Sequence, residues 1–234
     1  MENKIRERLN KERLNDNEID LLYDIMEITS NIFDEYEIRH TIEGGTLLGA
    51  VRHKGFIPHD NDADFDVLES DLNKIRSLKD MFAKHNLVVI EVPGWGLQIS
   101  HKDSPDLEEC IWTDGTKQWN SKWPFLDLIS IKYDNESNRY ILAQDVARND
   151  YPNYYLTHSD WNDPFEKIKF GHLNLWVIAG NENRINYLDR NYKNWDKEIE
   201  MVMDHRKNVY FDEPIRLKLE QNDMIYRKHS KKEN

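Results

Sequence analysis

The sequence predicts an α/β (α+β) protein, in which a mixed β-sheet is flanked by helices and followed by a helical C-terminal part. Apolar residues recur at spacings of three and four over residues 17–36, as on the buried face of an amphipathic helix. Acidic and apolar residues alternate over 62–68, which is the period of a strand. A further apolar segment at 125–133 encloses a lone acid and also has the composition of a strand.

The chain length indicates a single domain. Its 234 residues are enough to enclose one hydrophobic core. No internal repeat and no linker divides them. We therefore expect one domain over residues 1–226, followed by a charged, frayed tail over 227–234.

The other elements follow from the same periodicities. In chain order we expect a strand near 38–42, a helix over about 46–53, the acidic strand at 62–68, and a helix from Ser70 or Asp71 toward His85. Further strands are predicted at 87–92, 97–101, 109–113 and 125–133. Beyond residue 140 we expect a loop over 150–165, a strand or hairpin within 168–179, and helices over 183–192 and 214–221.

The composition excludes several classes of protein. The formal net charge of −12 argues against nucleic acid as a partner, because phosphate backbones are bound by basic surfaces. The single cysteine excludes an intrachain disulfide and a cysteine-built zinc site. The first residues lack the apolar segment of a signal peptide, and no apolar run reaches the length of a membrane span. We therefore expect a soluble, cytoplasmic protein with no transmembrane segment.

The most informative pattern is a series of aspartates at every second position: Asp60, Asp62, Asp64 and Asp66. An extended segment places alternate side chains on one face, where like charges repel one another. Carboxylates in such a group hold a hard divalent cation together with substrate phosphates. A calcium loop is excluded, because its sixth and twelfth positions require Gly and Glu but hold Phe65 and Asp71 here. An inert acidic edge strand is the alternative, and the apolar residues within 65–68 argue against it.

Two neighbouring features suit phosphate chemistry. Gly44 and Gly45 lead into a helix, whose unpaired N–H groups and dipole favour an anion. Asp127 stands alone on a second apolar strand and would complete a metal site with the aspartates. Together these features predict phosphoryl-group chemistry assisted by Mg²⁺ or Mn²⁺.

A basic trio, Arg52, His53 and Lys54, follows the same helix. The trio either clamps a diphosphate or satisfies the negative end of the helix dipole. Arg52 is the favoured clamp, because its planar guanidinium matches the geometry of phosphate.

The aromatic residues leave two alternatives open. Trp95 and the stretch 119–123 either fill the core or stack on a cytosine, a choline-like ammonium or a sugar. Tyr151, Tyr154, Tyr155 and Trp161 belong to a polar segment that is either a lid over an acceptor or a packed surface loop.

The run GlyGlyThrLeuLeuGlyAlaValArgHisLysGlyPheIlePro, followed by Asp60-x-Asp62-x-Asp64, resembles the LicD/fukutin family, within the nucleotidyltransferase-fold superfamily. Two later segments are similar to motifs of the same family. PheLeuAspLeuIle around Asp127 resembles its second acidic strand, and Tyr187-Leu188-x-Arg190-x-Tyr192-x-x-Trp195 resembles its C-terminal Tyr/Trp motif. The resemblance spans about residues 17–196.

The resemblance implies a nucleotidyltransferase-like fold and a metal-dependent phosphotransferase. Such an enzyme moves phosphocholine, ribitol phosphate or a similar group from a CDP-activated alcohol, such as CDP-choline or CDP-ribitol, to a glycan or glycolipid hydroxyl. On this pattern Asp62 and Asp64 ligate Mg²⁺ or Mn²⁺, and Asp127 is either the third ligand or the general base. Asp60 and Asp66 serve as outer ligands, and the donor phosphate faces three residues of the glycine motif: Gly44, Gly45 and Thr46.

This chain departs from the family pattern at two positions. His59 stands where the family usually has tryptophan, and Asn61 interrupts the usual run of consecutive aspartates. Both departures concern the choice of donor more than the chemistry, and His59 is a further candidate metal ligand. Two other functions stay open. One is a nucleotidyltransferase that moves a nucleoside monophosphate to a sugar phosphate or small acceptor, and the other is a catalytically silent metal-binding or scaffold protein.

Overall fold

The secondary structure comes from a computed structural model, which describes residues 5–7, 9, 13–107, 110–111, 118–204 and 209–232. The helices are α1 (Asp16–Glu35), α2 (Gly44–Arg52), α3 (Leu72–Ser77), α4 (Lys79–Lys84), α5 (Asp145–Asp150), α6 (His158–Asn162) and α7 (Asn181–Asn191). The strands are β1 (His40–Ile42), β2 (Ala63–Leu68), β3 (Leu87–Val92), β4 (Gly96–His101), β5 (Cys110–Ile111), β6 (Gln118–Trp119), β7 (Phe125–Asp134), β8 (Arg139–Leu142), β9 (Leu156–Thr157), β10 (Glu166–Phe170), β11 (Leu173–Val177), β12 (Glu198–Asp204) and β13 (Val209–Lys218). Short 3₁₀ helices cover Glu69–Asp71 and Gln221–Met224.

A seven-stranded mixed sheet forms the centre of the fold. Its main path runs β1-β2-β7-β4-β3, and β8 and β9 extend from the second half of β7. Strands β2 and β7 are parallel, whereas the other neighbours are antiparallel. The predicted mixed sheet flanked by helices is therefore confirmed.

The two faces of this sheet differ in polarity. Leu97 and Ile99 on β4, and Leu126 and Leu128 on β7, expose none of their surface, and α1 packs on these two strands. The intervening side chains point to the opposite face, because successive residues of a strand alternate. That opposite face carries Asp64, Asp127 and Gln98, which the register places side by side on three adjacent strands. The sheet therefore separates a hydrophobic core from a polar surface.

Helix α1 begins where its sequence predicts. Asn15 and Glu18 form a capping box, in which the Asn15 side chain accepts from the Glu18 N–H at 3.0 Å and the Glu18 carboxylate accepts from the Asn15 N–H at 2.7 Å. The predicted strands at 38–42, 62–68, 87–92, 97–101 and 125–133 and the helices at 46–53 and 183–192 are confirmed with shifts of a few residues. The helix expected from Ser70 toward His85 is divided in two at Leu78.

The loop predicted at 150–165 is wrong, because this segment contains β9 and α6, and α6 begins at a capping box between Thr157 and Asp160. The strand or hairpin predicted within 168–179 is confirmed as the hairpin of β10 and β11. Of the strand predicted at 109–113, the structure has Cys110–Ile111, and the rest lies outside the described residues.

The helix predicted over 214–221 is wrong, because most of this segment belongs to strand β13. Within it Ile215 and Leu217 are buried, whereas Arg216 and Lys218 are exposed, which is the period of a strand. The strand pairs with β12 in an antiparallel hairpin that has a bulge between Met201 and Met203. The C-terminal part therefore combines helix α7 with a β-hairpin, and is not helical throughout.

The C-terminal segment is not frayed over residues 227–232. The Arg227 N–H donates to the Phe56 carbonyl at 3.0 Å, and the Tyr23 hydroxyl donates to the Arg227 carbonyl at 2.8 Å. His229 is buried against α1, with its ring nitrogens 3.5 Å from an Asp20 oxygen and 3.4 Å from an Asp24 oxygen. The charges that suggested a solvated tail instead pair with the acidic face of α1. Within the described parts of the chain, no helix is long and apolar enough to cross a membrane.

Candidate active site

Three carboxylates converge on the polar face of the sheet. The parallel pairing of β2 with β7 sets Asp64 directly beside Asp127, and Asp62 precedes Asp64 by two residues. Each of the three offers an oxygen, and these oxygens all lie within 4.8 Å of one another. The sequence-predicted metal ligands are thus brought together by a single strand pairing.

The surroundings of Asp127 fit a hard cation. The side chain of Gln98, on the neighbouring strand, hydrogen-bonds one part of the Asp127 carboxylate, and the Gln98 Oε1 accepts from the Ser121 hydroxyl. The Asp127 Oδ1 is buried and has no hydrogen-bond partner in the protein. A buried carboxylate oxygen without a partner is costly unless a cation balances it. The three-oxygen donor set is the type that Mg²⁺ and Mn²⁺ prefer.

The pKa values of these carboxyl groups reflect burial among like charges. Burial raises the pKa of Asp62 to about 6 and that of Asp127 to about 8. Burial, together with the charges of Asp62 and its neighbours, raises the pKa of Asp64 well above its usual range. A divalent cation in the centre of the group would reverse this effect by favouring the charged forms.

Glu43 is a fourth acid of this site, half-buried, and the sequence did not single it out. It precedes the glycine pair, and its N–H donates to the Asp64 carbonyl at 3.3 Å. Its Oε2 accepts from the Tyr187 hydroxyl at 2.8 Å. Burial, opposed by this hydrogen bond and reinforced by the charge of Asp62, raises the pKa of Glu43 to about 7. Only the pairing of β1 with β2 reveals its position.

The glycine pair lies against the acids because it has no side chains. A Cβ on Gly45 would lie 2.8 Å from an Asp60 oxygen, and Gly44 has a φ of +54°, which favours glycine. Both glycines line the cleft above the carboxylates. Thr46, the third residue predicted to face the donor phosphate, does not line the cleft. It is buried, and its Oγ1 accepts from the Asp64 N–H at 2.9 Å. Thr46 therefore fixes strand β2.

The two outer aspartates have different surroundings. Asp60 lines the cleft, and its side chain hydrogen-bonds that of Asp62. Asp66 is fully buried and does not line the cleft, and its Oδ2 accepts from the Tyr154 hydroxyl at 2.5 Å. The structure thus places Asp60 beside the three converging carboxylates and pairs Asp66 with a tyrosine.

Of the basic trio, Arg52 alone lines the cleft. Its Nη1 donates to the Trp195 carbonyl and, at 3.1 Å, to the Glu198 carbonyl, and its Nε donates to the His53 Nδ1 at 3.2 Å. The His53 Nε2 is hydrogen-bonded to the Asp223 carbonyl at 2.9 Å, and the Lys54 Nζ donates to the Val51 carbonyl. The structure therefore uses His53 and Lys54 to tie backbone segments together.

His59 is a neutral, buried histidine at the wall of the cleft. Burial and the positive charge of Arg52 lower its pKa to about 3. The cluster that could hold a metal ion consists of Asp62, Asp64 and Asp127, and His59 is not part of it.

The cleft has a volume of about 530 Å³ and is strongly acidic. Among the described residues that line it, two are cationic, Arg52 and Lys193, and eight are acidic: Glu43, Asp60, Asp62, Asp64, Asp127, Asp150, Glu198 and Glu200. An anionic ligand cannot enter such a cleft without a cation, because like charges in a partly dehydrated site repel strongly.

The C-terminal motif around α7 forms one wall of the cleft. Tyr187 holds Glu43, and the Tyr192 hydroxyl approaches Gly44 so closely that a Cβ there would lie 3.4 Å away. Arg190 donates to the Asn153 carbonyl at 3.2 Å and to the Tyr155 carbonyl at 2.6 Å. These contacts attach residues 150–154, which also line the cleft.

The aromatic candidates divide between cleft and core. Trp95, Tyr151 and Tyr154 line the cleft, whereas Trp161 is buried and packs on Tyr140 and Phe165. Of the stretch 119–123, Trp123 is buried and packs on Phe125, and the side chain of Trp119 lies outside the described residues.

Comparisons with known proteins agree with the geometry. A model of the LicD/FKTN/FKRP nucleotidyltransferase domain matches residues 37–177, which include β1, the glycine motif, β2 and β7. The lipopolysaccharide cholinephosphotransferase LicD of Haemophilus influenzae is 48% identical over 40 residues, which is 17% of this chain and 15% of that protein.

Two longer matches are with uncharacterized rickettsial proteins. One from Rickettsia prowazekii is 26% identical over 205 residues, covering 88% of this chain and 66% of the relative. One from Rickettsia typhi is 26% identical over 192 residues, covering 81% of this chain and 51% of the relative. The chain thus spans about one half to two thirds of the length of these relatives.

Proposed function

The chain belongs to the LicD/FKTN/FKRP nucleotidyltransferase-domain family, and on that premise we propose that it is a metal-dependent phosphotransferase. In this proposal it moves a phosphorylated alcohol, such as phosphocholine or ribitol phosphate, from a CDP-activated donor to a hydroxyl of a glycan or glycolipid. The observation that carries the proposal is the convergence of the Asp62, Asp64 and Asp127 oxygens within 4.8 Å.

Asp62, Asp64 and Asp127 would hold Mg²⁺ or Mn²⁺, with Asp60 as an outer ligand. When bound, such an ion would neutralise the charge that the phosphate carries as the bond breaks. We assign Asp127 to the third ligand position, because Gln98 occupies part of its carboxylate and leaves Oδ1 without a partner. The acidity of the cleft supports this role for the ion, since a CDP-activated donor carries a negatively charged diphosphate.

The donor diphosphate would lie between the carboxylates and Arg52. Three hydrogen bonds to Trp195, Glu198 and His53 hold the guanidinium in place. A group that is already oriented stabilises developing charge without further reorganisation. The Gly45 N–H, in the first turn of α2, would face the same phosphates, whereas the Gly44 N–H already donates to the Tyr187 hydroxyl at 3.4 Å.

Glu43 is the candidate general base for the acceptor hydroxyl. It lines the cleft next to the metal ligands, and the Tyr187 hydroxyl fixes one of its oxygens at 2.8 Å. A general base must lie within hydrogen-bond reach of the proton that it takes, and this position beside the metal ligands suits that requirement. In this scheme Glu43 takes the proton of the hydroxyl that attacks the phosphorus atom.

The proposal is tested by incubating the protein and Mn²⁺ with CDP-choline, CDP-ribitol, CDP-glycerol or CTP, with water in place of the acceptor hydroxyl, so that the products of a CDP-alcohol are CMP and the phospho-alcohol. We expect consumption of a CDP-alcohol with release of CMP, and we expect Asp62→Ala and Asp64→Ala to abolish it while the fold is retained. Consumption of CTP with release of diphosphate would instead support a nucleotidyltransferase. If no nucleotide is consumed and calorimetry detects no binding of Mn²⁺ and CDP, the chain is a catalytically silent member of the family.

A further inference from the structure

An aromatic pair, Trp95 and Tyr151, stands at one end of the cleft. The two ring centroids lie 5.8 Å apart, with the ring planes at 64° to each other. Both residues line the cleft, and Tyr151 exposes 40% of its surface. Trp95 is half-buried beside it, so both rings keep surface that faces the cleft.

Trp95 is held in a tight turn between β3 and β4. Its N–H donates to the Val92 carbonyl at 3.1 Å, and its own carbonyl accepts from the Ser130 hydroxyl at 3.3 Å. Gly94, at the turn, has a φ of +79°. The indole is therefore presented to the cleft from a fixed backbone position.

Tyr151 begins a segment that is held from both sides. Arg190 binds two backbone carbonyls of this segment, at Asn153 and Tyr155, and its guanidinium lies 3.7 Å from the centroid of the Tyr155 ring. Tyr154, within the same segment, donates its hydroxyl to Asp66 beneath it. Both rings of the aromatic pair thus stand on supported backbone, as a preformed binding surface requires.

The aromatic pair lies on the opposite side of the carboxylates from Arg52. Gly96, next to Trp95, pairs with Ile129, which is two residues beyond Asp127 on β7, or about 7 Å along the strand. Asp60, which lies near Arg52, is toward the other end of the site. It comes before Asp62 and Asp64 in the chain, ahead of β2, the strand that runs parallel to β7. In phosphoryl transfer the attacking and leaving oxygens lie in line on opposite sides of the phosphorus atom. If the donor diphosphate lies toward Arg52, the acceptor must approach from the side of the aromatic pair.

The chemistry of this end of the cleft suits a sugar ring. The aromatic rings offer apolar faces to the C–H groups of a sugar, and the nearby Asp150 and Asn153 offer a carboxylate and an amide to its hydroxyls. The two cationic residues among the described cleft lining, Arg52 and Lys193, are not in these segments, so a phosphate would find no partner here. Resting on the proposed function, we propose that Trp95 and Tyr151 form the platform for the sugar ring of the acceptor.

The test is ligand-observed saturation-transfer NMR with methyl glycosides of glucose, galactose, N-acetylglucosamine and N-acetylgalactosamine as probes. We expect at least one glycoside to bind the wild-type protein, and we expect Trp95→Ala and Tyr151→Ala each to weaken its binding about five- to tenfold, as loss of an aromatic anchor does. Tyr133→Ala is the matched control, because Tyr133 is 37% exposed but does not line the cleft, and it should leave binding unchanged.

Two further measurements separate this proposal from the proposed function. Asp64→Asn should abolish the heat of Mn²⁺ and CDP binding and should leave glycoside binding intact, whereas Trp95→Ala should do the reverse. The acceptor proposal is overturned if no glycoside binds the wild-type protein, or if both alanine variants bind as the wild type does. It is also overturned if CDP with Mn²⁺, or tetramethylammonium alone, displaces the glycoside, because the pair would then hold the donor.

Discussion

Asp127 links the geometry of a single residue to the chemistry of the site. Its Oδ1 is buried and has no partner, and its position depends on the register of β7 with β2. We expect Asp127→Asn to reduce Mn²⁺ affinity and transfer by at least about 100-fold, because a neutral amide is a poor ligand for a hard cation. Calorimetry and CMP release measure the two effects. The matched control is Asp80→Asn, the same change at an exposed position outside the cleft, and an equal loss in both variants would contradict the assignment.

The buried carboxyl groups make stability depend on pH and on metal. Burial raises the pKa of Glu43 to about 7 and that of Asp127 to about 8, from ordinary values of 4.5 and 3.8. The native protein therefore keeps protons that the unfolded chain has released, and this stabilisation is lost as the pH rises through those values. Buried histidines such as His59 act in the opposite direction, but only below their ordinary pKa of about 6.5.

We therefore expect the melting temperature in EDTA to fall between about pH 6.5 and pH 8. Saturating Mn²⁺ should raise the melting temperature most at pH 8, because the ion replaces the protons. Thermal denaturation across this range measures both effects, with Asp127→Asn as the control that should show a smaller decline. A melting temperature in EDTA that stays level or rises from pH 6.5 to 8 would disagree with the buried acidic site.

At the residue scale, the sequence predicted those site positions that residue type and spacing indicate, and it missed those that depend on how the strands pair. The convergence of Asp62, Asp64 and Asp127 could be predicted because alternate positions of an extended segment share a face, and Asp127 stands alone on a second apolar strand. Glu43 could not be identified, since its place beside Asp64 depends on the pairing of β1 with β2. The same limit explains Thr46, whose hydroxyl the structure uses to hold a backbone N–H.

Helix α7 organises the wall of the cleft at the scale of elements. Its Arg190 holds the segment 151–155 through two backbone carbonyls. We expect Arg190→Met to free this segment and to increase chymotrypsin cleavage after Tyr154 or Tyr155 several-fold, because local opening governs such cleavage. Arg76→Met is the control, since Arg76 forms an exposed pair with Glu91.

Mass spectrometry of the fragments identifies the cleavage sites. In the Arg190→Met variant, calorimetry should also detect unchanged binding of Mn²⁺ and CDP, because the metal ligands come from β7 and from residues 62–64. A cleavage pattern identical to that of the wild type would mean that Arg190 does not hold the wall.

The elements that the sequence predicted well are those with a long, uniform period. Helix α1 was found because its apolar residues recur at helical spacing, and strands β2, β3, β4 and β7 were found because each is an alternating or largely apolar segment of six residues or more. Strand β13 was missed, although Ile215 and Leu217 alternate with charged residues, because Pro214 is also a common first residue of a helix. Helix α6 was missed because it has five residues, and its one signal was the capping box from Thr157 to Asp160.

At the scale of the whole molecule, the C-terminal segment connects α1 to the region of the site. Arg227 pairs with Phe56, which precedes the acidic residues, and His229 and Ser230 bind the acidic face of α1. We expect deletion of residues 225–234 to lower the free energy of unfolding by about 2–4 kcal/mol, from several part-buried hydrogen bonds at about 1 kcal/mol each. The exposed ion pairs of Lys232 should add little.

Urea denaturation measures this loss. The control is deletion of residues 233–234 alone, which keeps the contacts of Arg227, His229 and Ser230. If the longer deletion unfolds at the same urea concentration as the wild type, the segment does not contribute to the fold.

The most direct measurement is anomalous diffraction at the manganese edge from crystals grown with Mn²⁺ and CDP. We expect an anomalous peak among Asp62, Asp64 and Asp127, about 2.0–2.4 Å from their oxygens, with the CDP diphosphate between the ion and Arg52. Bound CDP with no anomalous peak among these three carboxylates, or with a peak elsewhere in the cleft, would contradict this expectation.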